Sequence, residues 1–188
     1  MMSQPLAERL RPKTLDDYIG QKHLVGQGAV LRKMIDAGRV PSFILWGPPG
    51  VGKTTLAQII ANKLDAPFYT LSAISSGVKD VREVIEKAKS NRFFNTVSPI
   101  LFIDEIHRFS KSQQDSLLNA VETGVVTLIG ATTENPSFEV IRPLLSRCQV
   151  YVLKSQEKKD LEDLIDRAVA AAIEDAERAD DVLLGDKA

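Results

Sequence analysis

The residues best suited to chemistry form one short stretch, Gly47 to Thr54, in which three glycines alternate with other residues before a Lys-Thr pair. An apolar run, 43–46, comes before it, and a helix-like run, 55–64, comes after it. Glycines let such a loop turn so that successive backbone N–H groups point inward, and the positive end of the next helix adds its charge toward an anion. Lys53 would then contact the β- and γ-phosphates of a nucleoside triphosphate, and the Thr54 hydroxyl would coordinate Mg²⁺. The stretch therefore predicts a triphosphate site formed by Gly47, Pro48, Pro49, Gly50, Val51, Gly52, Lys53, Thr54 and Thr55.

A pair of acidic residues, Asp104 and Glu105, follows the apolar run 100–103. Such a run is typical of a strand buried on both faces of a parallel sheet. A carboxylate at the tip of a strand beside the phosphate loop can hold the water shell of Mg²⁺, which is the role we predict for Asp104. Glu105 points elsewhere because it is one residue further on, and it would orient the attacking water if it reaches the space beyond the γ-phosphate. The alternative is an ordinary solvated turn, and the position of the pair after a buried strand favours the functional interpretation.

Four further residues are weaker candidates. Thr133 follows the run 125–131, where a hydroxyl could contact the γ-phosphate or the water, although Thr at a strand end also suits a turn. Arg147 carries a guanidinium suited to stabilising charge on a transferring phosphate held by a neighbouring subunit, whereas a local surface ion pair is the simpler interpretation from sequence alone. We predict a hydrogen-bonding or structural role for His107 and a place in the core for Cys148.

Composition narrows the class of protein. The chain has 188 residues, of which 44% are hydrophobic, and this is enough for a core of its own. A single cysteine excludes an intrachain disulfide, and the absence of C-x-x-C pairs removes the common zinc sites. No apolar run approaches the length that spans a bilayer, and the N-terminus lacks a signal pattern. We therefore expect a soluble, cytoplasmic protein with no membrane partner, and the net charge of −1 gives no argument for nucleic acid.

Strand-like and helix-like runs alternate along most of the chain. We predict strands over 43–46, 68–71, 100–103, 125–129 and 149–153, and helices over 28–37, 55–64, 79–88 and 111–121. This alternation indicates an α/β fold with a parallel sheet sandwiched by helices and joined by right-handed crossovers. From Ser155 the pattern changes to an apolar stripe at helical spacing, formed by Leu161, Leu164, Ile165, Ala168, Val169, Ala172 and Ile173. We therefore divide the chain into a nucleotide-binding domain, 1–153, and the first part of a helical domain, 154–188, with a poorly ordered polar tail from Glu174.

Together these motifs resemble those of the AAA+ ATPases, a family of P-loop NTPases. In that family's terms, 47–54 is the Walker A motif and 101–105 is the Walker B motif with its catalytic glutamate. Thr133 matches the sensor 1 position, and the stretch 146–148 resembles the arginine-finger motif of clamp loaders. Within the AAA+ ATPases the similarity is greatest to the RarA/MgsA family of replication-associated recombination proteins, relatives of the Werner helicase-interacting protein, on the stretches 10–21, 103–109 and 130–139.

The resemblance implies a five-stranded sheet, the start of a helical lid domain, and Mg²⁺-dependent hydrolysis of ATP to ADP at subunit boundaries. Lys53, Glu105 and Thr133 would act in one subunit, and Arg147 would act in trans on the next. Residues near Arg11, Pro12 and Ile19 would cradle adenine. The resemblance further implies a full-length homotetramer, associated with the bacterial nucleoid, that acts on single-stranded, forked or gapped DNA at stalled replication forks with single-strand-binding protein nearby.

Four other functions compete with this interpretation. A RuvB-like Holliday-junction ATPase carries a hairpin before its sensor strand, for which Glu122-Thr123-Gly124 leave no room. A protein-unfolding motor is expected to have an aromatic residue in the loop 72–78, and this loop has none. A clamp-loader subunit, binding protein partners and primed DNA, differs mainly in the stretch 130–139. A non-enzymatic, nucleotide-gated scaffold would bind ATP tightly without turnover.

Overall fold

The chain is described by a computed structural model that covers residues 4–92 and 97–185, the last three of these by their backbone alone. The described residues form two compact units. The larger unit contains residues 21–155, and the smaller one joins the residues up to Gly20 to those from Gln156. Among the described residues, no helix is long and apolar enough to cross a lipid bilayer.

The larger unit is built on a parallel sheet to which the described residues contribute five strands. Along the chain these are β1 Phe43–Trp46, β2 Phe68–Ser72, β3 Ile100–Asp104, β4 Thr127–Thr132 and β5 Gln149–Val152. Across the sheet the order is β2-β3-β4-β1-β5, and every pairing is parallel. The predicted five-stranded α/β fold is therefore confirmed, and β1, which leads into the glycine-rich loop, lies between β4 and β5.

Helices connect the strands and cover the sheet. In chain order they are α1 Leu6–Arg9, α2 Lys22–Val25, α3 Val30–Asp36, α4 Lys53–Lys63, α5 Val78–Arg92, α6 Lys111–Glu122, α7 Pro136–Glu139, α8 Arg142–Leu145 and α9 Lys158–Gly185, with a short 3-10 helix at Ile106–Arg108. Apolar side chains of α5, α6 and α8 form one buried cluster with those of the strands, including Ile44, Leu101 and Leu128. Successive strand residues face opposite sides of a sheet, so Phe43 and Leu45, both fully buried, pack on the other side from Ile44.

A buried glutamine fixes the connections around α6. The Gln114 amide donates to the carbonyls of Phe109 at 3.1 Å and Glu139 at 3.0 Å, and its oxygen accepts from the Ile141 N–H at 2.8 Å. Because all of these partners are backbone groups, one side chain satisfies three positions in loops that have no partners in the sheet. The segment after β3 and the segment after β4 are thereby held together.

Several predicted boundaries differ from the observed ones, the largest difference being at the end of α5, which runs to Arg92 and not to Ala88. Two of the smaller differences have a local cause. The helix after the glycine-rich loop begins at Lys53, not at Thr55, because Gly52 adopts a left-handed φ of +88° and turns the chain directly into α4. Strand β4 begins at Thr127, not at Val125, because the N–H groups of Val125 and Val126 both bond back to Ala120 at the end of α6.

The smaller unit packs the N-terminal segment on α9. Arg9 forms an ion pair with Asp175 at 2.7 Å, and Arg167 donates to the Asp17 carbonyl at 2.8 Å. Leu164 and Ala168 are half-buried on this side of α9. The rest of the predicted apolar stripe is largely exposed, with exposed fractions of 48–62% for Leu161, Ile165, Val169 and Ile173.

The prediction of a poorly ordered tail from Glu174 is wrong as far as Gly185, because α9 continues to that residue. The stretch 174–184 contains no glycine or proline, and seven of its eleven residues are Ala, Leu, Glu or Arg, which favour helix. Residues 186–188 lie outside the described residues. The division into domains at residue 153 stays a prediction.

Candidate functional site

The glycine-rich loop joins the carboxyl end of β1 to the N-terminus of α4. Gly50 and Gly52 have φ values of +76° and +88°, a region that residues with a Cβ seldom adopt. Gly52 is the N-cap of α4 and has no side chain with which to cap the first turn. The positive end of α4 therefore faces the loop, as an anion site requires.

Gly47 is required for a different reason, since it lies against the chain that leaves β5. A Cβ on Gly47 would stand 2.7 Å from Leu153 Cβ and 2.9 Å from the Leu153 carbonyl oxygen. The Gly47 N–H also donates to the Thr132 carbonyl at 3.1 Å. The loop therefore starts in a narrow gap between the ends of β4 and β5.

The Lys53 ammonium points into this loop. Its Nζ donates to the carbonyls of Gly47 at 2.6 Å, Pro48 at 3.3 Å and Thr132 at 3.4 Å. Burial lowers the pKa of Lys53, while the charges of Asp104 and Glu105 raise it. The ammonium is thus held at the loop by neutral oxygens and lies within electrostatic reach of both carboxylates.

The oxygen donors predicted to hold Mg²⁺ are exposed. Asp104 is the last residue of β3, and its Oδ1 accepts the Glu105 N–H at 3.0 Å. Thr54, in the first turn of α4, is also exposed. A carboxylate and a hydroxyl are hard donors of the kind that Mg²⁺ takes, together with water and phosphate oxygens. Within residues 4–92 and 97–185, no group of three or more His, Cys, Asp or Glu side chains is arranged to hold a metal. The donor set therefore fits an ion that is held partly by the nucleotide.

Glu105 has a strained backbone and a carboxylate oxygen with spare acceptor capacity. Its φ of +52° lies in the left-handed region, which is uncommon for a residue with a side chain and is concentrated at functional sites. Its Oε2 is buried and lies 3.3 Å from Arg108 Nε, within ion-pair distance but without hydrogen-bond geometry, and it accepts no hydrogen bond from the described residues. To accept a bond from a water, this oxygen would have to turn out of its buried position.

At the end of β4, one of two neighbouring threonines is buried and the other is exposed. Thr132 is buried, and its hydroxyl lies 3.0 Å from His107 Nδ1 and accepts the Glu134 N–H at 2.9 Å. The hydrogen-bonding role predicted for His107 is confirmed. Thr133, the residue predicted to contact the γ-phosphate, is exposed at the same strand end, and its role stays a prediction. The contribution of Thr132 was missed because its contacts come from elements far apart in the chain.

Arg147 follows α8 and makes local contacts. Its guanidinium donates to the Pro143 carbonyl at 2.7 Å and forms an ion pair with Glu122 at the end of α6. The local surface ion pair, the simpler interpretation from sequence, is therefore present. Its side chain is 41% exposed, and action on a neighbouring subunit stays a prediction.

The remaining candidates are the residues predicted to contact adenine and Cys148. Arg11, Pro12 and Ile19, predicted to contact adenine, belong to the smaller unit, and that prediction stays untested. Cys148 packs against the buried cluster, as expected, and burial raises the pKa of its thiol to about 11. The thiol is therefore protonated, and unreactive as a nucleophile, near neutral pH.

Three comparisons with known proteins bear on this site. The family model described as ATPase family associated with various cellular activities (AAA) matches residues 43–156, which include the loop, Asp104, Glu105 and Thr133. The resemblance found in the motifs is therefore confirmed at the level of the family.

Curated relatives agree with the closer resemblance. Replication-associated recombination protein A of Haemophilus influenzae is 54% identical over 165 residues, which cover 88% of this chain and 37% of that protein. The Escherichia coli protein of the same name is also 54% identical, with the same coverage of both chains. ATPase WRNIP1 of Dictyostelium discoideum is 53% identical over 88% of this chain and 19% of its own length. The chain thus spans little more than a third of the length of the bacterial relatives, and less of WRNIP1.

Among solved structures, the Thermotoga maritima RuvB Holliday junction branch migration motor is 34% identical, with a TM-score of 0.70. The match covers 88% of this chain and 55% of the RuvB chain. At this level of identity and TM-score, the two chains share the AAA fold with its parallel sheet.

Proposed function

Because the chain belongs to the AAA family of ATPases, we propose that it binds and hydrolyses ATP as the ATPase part of a longer protein that acts on DNA at stalled replication forks or recombination intermediates. One observation supports the proposed binding and hydrolysis of ATP. The Lys53 ammonium lies in the glycine-rich loop at the end of β1, within electrostatic reach of Asp104 and Glu105 at the end of β3. The identity of 54% to replication-associated recombination proteins supports the proposed action on DNA.

Binding of the triphosphate replaces contacts that the loop makes with itself. The Lys53 Nζ, which donates to three carbonyl oxygens, would turn toward the β- and γ-phosphates, whose negative charge is a stronger partner than a neutral carbonyl. Backbone N–H groups of the loop and the N-terminus of α4 would hold the remaining phosphate oxygens. Arg11, Pro12 and Ile19 would contact the adenine.

Hydrolysis needs a metal and an oriented water. Thr54 and Asp104 would hold Mg²⁺, which when bound neutralises charge on the phosphate oxygens. The Glu105 carboxylate would accept a hydrogen bond from the attacking water and orient it for in-line attack. Because Oε2 accepts no hydrogen bond from the described residues, turning it toward the water would break only its ion-pair contact with Arg108. Thr133 would contact the γ-phosphate or the same water.

Arg147 would complete the site of the next subunit in a homo-oligomer. In that role its guanidinium would stabilise the charge of the transferring phosphate, which requires its ion pair with Glu122 to loosen or turn outward. A tetramer, single-strand-binding protein as a partner, and association with the nucleoid are parts of the same proposal and follow from the resemblance alone.

A Holliday-junction motor is the second candidate, because the solved structure with a TM-score of 0.70 is a RuvB protein. In this chain the connection between α6 and β4 consists of residues 123–126, which bond back to the helix and leave no space for a hairpin before the sensor strand. The higher identity to the recombination proteins favours the first candidate.

The proposal is tested by ATP turnover of the protein at its native length, with single-stranded, forked and four-way DNA compared in parallel. We expect turnover that requires Mg²⁺, stops with a chelator, and rises with forked or single-stranded DNA. Lys53→Ala is expected to abolish ATP binding, since the residue supplies the charge that faces the phosphates. Stimulation by four-way junctions alone would favour the second candidate, and tight ATP binding without turnover would replace both with a nucleotide-gated scaffold.

A further inference from the structure

We propose that His107 is a positioning residue for hydrolysis, which through the buried Thr132 hydroxyl holds the turn that carries Glu105 against the strand end that carries Thr133. The inference rests on the proposed ATPase function. Its basis is the contact of 3.0 Å between His107 Nδ1 and Thr132 Oγ1, at a threonine that is only 1% exposed. His107 itself is not placed in contact with nucleotide.

The Thr132 hydroxyl has a second polar neighbour besides His107, which is the backbone of Glu134. Oγ1 accepts the Glu134 N–H at 2.9 Å and lies 3.2 Å from the Glu134 carbonyl oxygen, to which it can donate. A hydroxyl has one proton, so it cannot donate to this carbonyl and to His107 at once. Both contacts are used when His107 Nδ1 carries a proton and donates to Oγ1, while Oγ1 donates to the Glu134 carbonyl. With the proton on Nε2 instead, Oγ1 donates to Nδ1, and the bond between His107 and Thr132 is kept in either tautomer.

The backbone of the same threonine contacts the phosphate loop. The Thr132 carbonyl accepts the Gly47 N–H at 3.1 Å and lies 3.4 Å from Lys53 Nζ. Trp46, at the end of β1, is the register partner of Thr132 in β4. One residue thus joins three parts of the site: the loop through its carbonyl, the Glu105 turn through its hydroxyl, and Thr133 through the next peptide bond.

The turn has anchors other than His107, and these allow positioning to be separated from stability. Ile106, fully buried, anchors the turn in the core beside Gly130 of β4. The turn is also closed by backbone bonds from Arg108 to Glu105 at 2.9 Å and from Phe109 to Ile106 at 3.0 Å. What the His107 bond adds is a fixed distance between this turn and the end of β4. A carboxylate that must orient a water is sensitive to a misplacement of about 1 Å, so the effect is expected in the chemical step.

The experiment is a double-mutant cycle on the steady-state hydrolysis of ATP by the protein at its native length. His107→Phe keeps a ring without a donor, and Thr132→Val keeps the shape without the hydroxyl. Each is expected to lower kcat about tenfold, because the turn that carries Glu105 is then less precisely placed for the chemical step, with KM and the Kd for ATP unchanged. The double variant is expected to be no worse than either single variant, because the two changes remove the same bond.

Two conservative variants serve as controls. His107→Asn places an amide at the position of Nδ1 and is expected to recover most of kcat, and Thr132→Ser retains the hydroxyl and is expected to do the same. A structural role alone would lower stability in His107→Phe and Thr132→Val without separating kcat from KM. The unfolding free energy is therefore measured for the same cycle, where coupling between His107 and Thr132 is expected.

The outcomes are distinguishable from failure of the proposed function. If the unsubstituted protein hydrolyses ATP but His107→Phe has unchanged kcat, or if the losses in kcat add in the double variant, the inference is overturned and the ATPase function stands. A rise in KM alone overturns it as well. If the unsubstituted protein shows no turnover, the proposed function is wrong, and so is the claim that His107 serves hydrolysis. Coupling between His107 and Thr132 in the unfolding free energies would then show only that their side chains are bonded.

Discussion

Gly47→Ala probes the narrow gap at the start of the phosphate loop. The new methyl group would stand 2.7 Å from Leu153 Cβ and 2.9 Å from the Leu153 carbonyl oxygen, both too close for non-bonded atoms. Carbon atoms in contact prefer about 3.5–4.0 Å, so the two segments must separate by about 0.8 Å or more. Leu153 resists this movement because it is buried and its N–H donates to the Trp46 carbonyl at 2.7 Å.

The expected cost is that of overpacking, about 1–3 kcal/mol of unfolding free energy. The loop moves with Gly47, whose carbonyl accepts the closest bond from Lys53, so the affinity for ATP is expected to fall as well. Gly38→Ala is the matched control. Gly38 has a φ of +73° and nothing within 4 Å of a built Cβ, so this variant carries only backbone strain of about 1 kcal/mol and an unchanged Kd for ATP.

The assay is urea denaturation of both variants, followed by nucleotide binding measured by titration calorimetry. The reasoning requires that Gly47→Ala, unlike the control, lowers stability and affinity together. An unfolding free energy within about 0.5 kcal/mol of the unsubstituted protein, with unchanged affinity, would refute it. Such a result would mean that the loop and the chain after β5 can move apart at Gly47 without loss of stability.

Three further predictions concern the ion pairs and the carboxylates. Glu105→Gln is expected to keep ATP affinity and lower kcat by at least a hundredfold, on the order of a general base's contribution, in a turnover assay; unchanged turnover would assign the water to another group. Arg147→Ala is expected to lower turnover, and mixing it with Lys53→Ala subunits is expected to restore part of it, because each variant retains what the other lacks; mixtures no more active than their components would exclude action in trans. The ion pair with Arg9 lowers the pKa of Asp175 below its ordinary value of 3.8, so its contribution to stability is present above that pH and is lost as the pH falls through the lowered value. The stability of Asp175→Asn and of the unsubstituted protein, measured by unfolding followed with circular dichroism, should therefore differ at neutral pH and become equal in acid. A difference in stability that stays constant down to pH 2 would contradict this account.

The parts of the site that were predictable are those in which chemistry is local in the chain. The loop 47–54 carries its glycines, lysine and threonine within one stretch, and Asp104 and Glu105 directly follow a buried strand. The parallel sheet followed from the alternation of strands with helices. In these cases the neighbours in sequence are also the neighbours that matter in space.

What was missed depends on contacts between distant residues. Thr132 is important because sheet register sets it beside Trp46 and because His107 reaches it from another loop, and neither fact follows from its own neighbours. The surface ion pair of Arg147 was expected, but its partner, Glu122 at the end of α6, likewise does not follow from the neighbours of Arg147 in sequence. The tail was misjudged because its polar composition was given more weight than its helix propensity.

The sheet order has a consequence for how the protein is made. Strand β1 pairs only with β4 and β5 in the described sheet, and its first three residues, Phe43 to Leu45, are fully buried in the finished fold. During synthesis these apolar residues leave the ribosome about 80 residues before β4 and about 100 before β5, a delay of several seconds at ordinary rates of translation. The nucleotide site is therefore among the last features to form on the nascent chain, and until then its central strand is a surface for chaperones to protect.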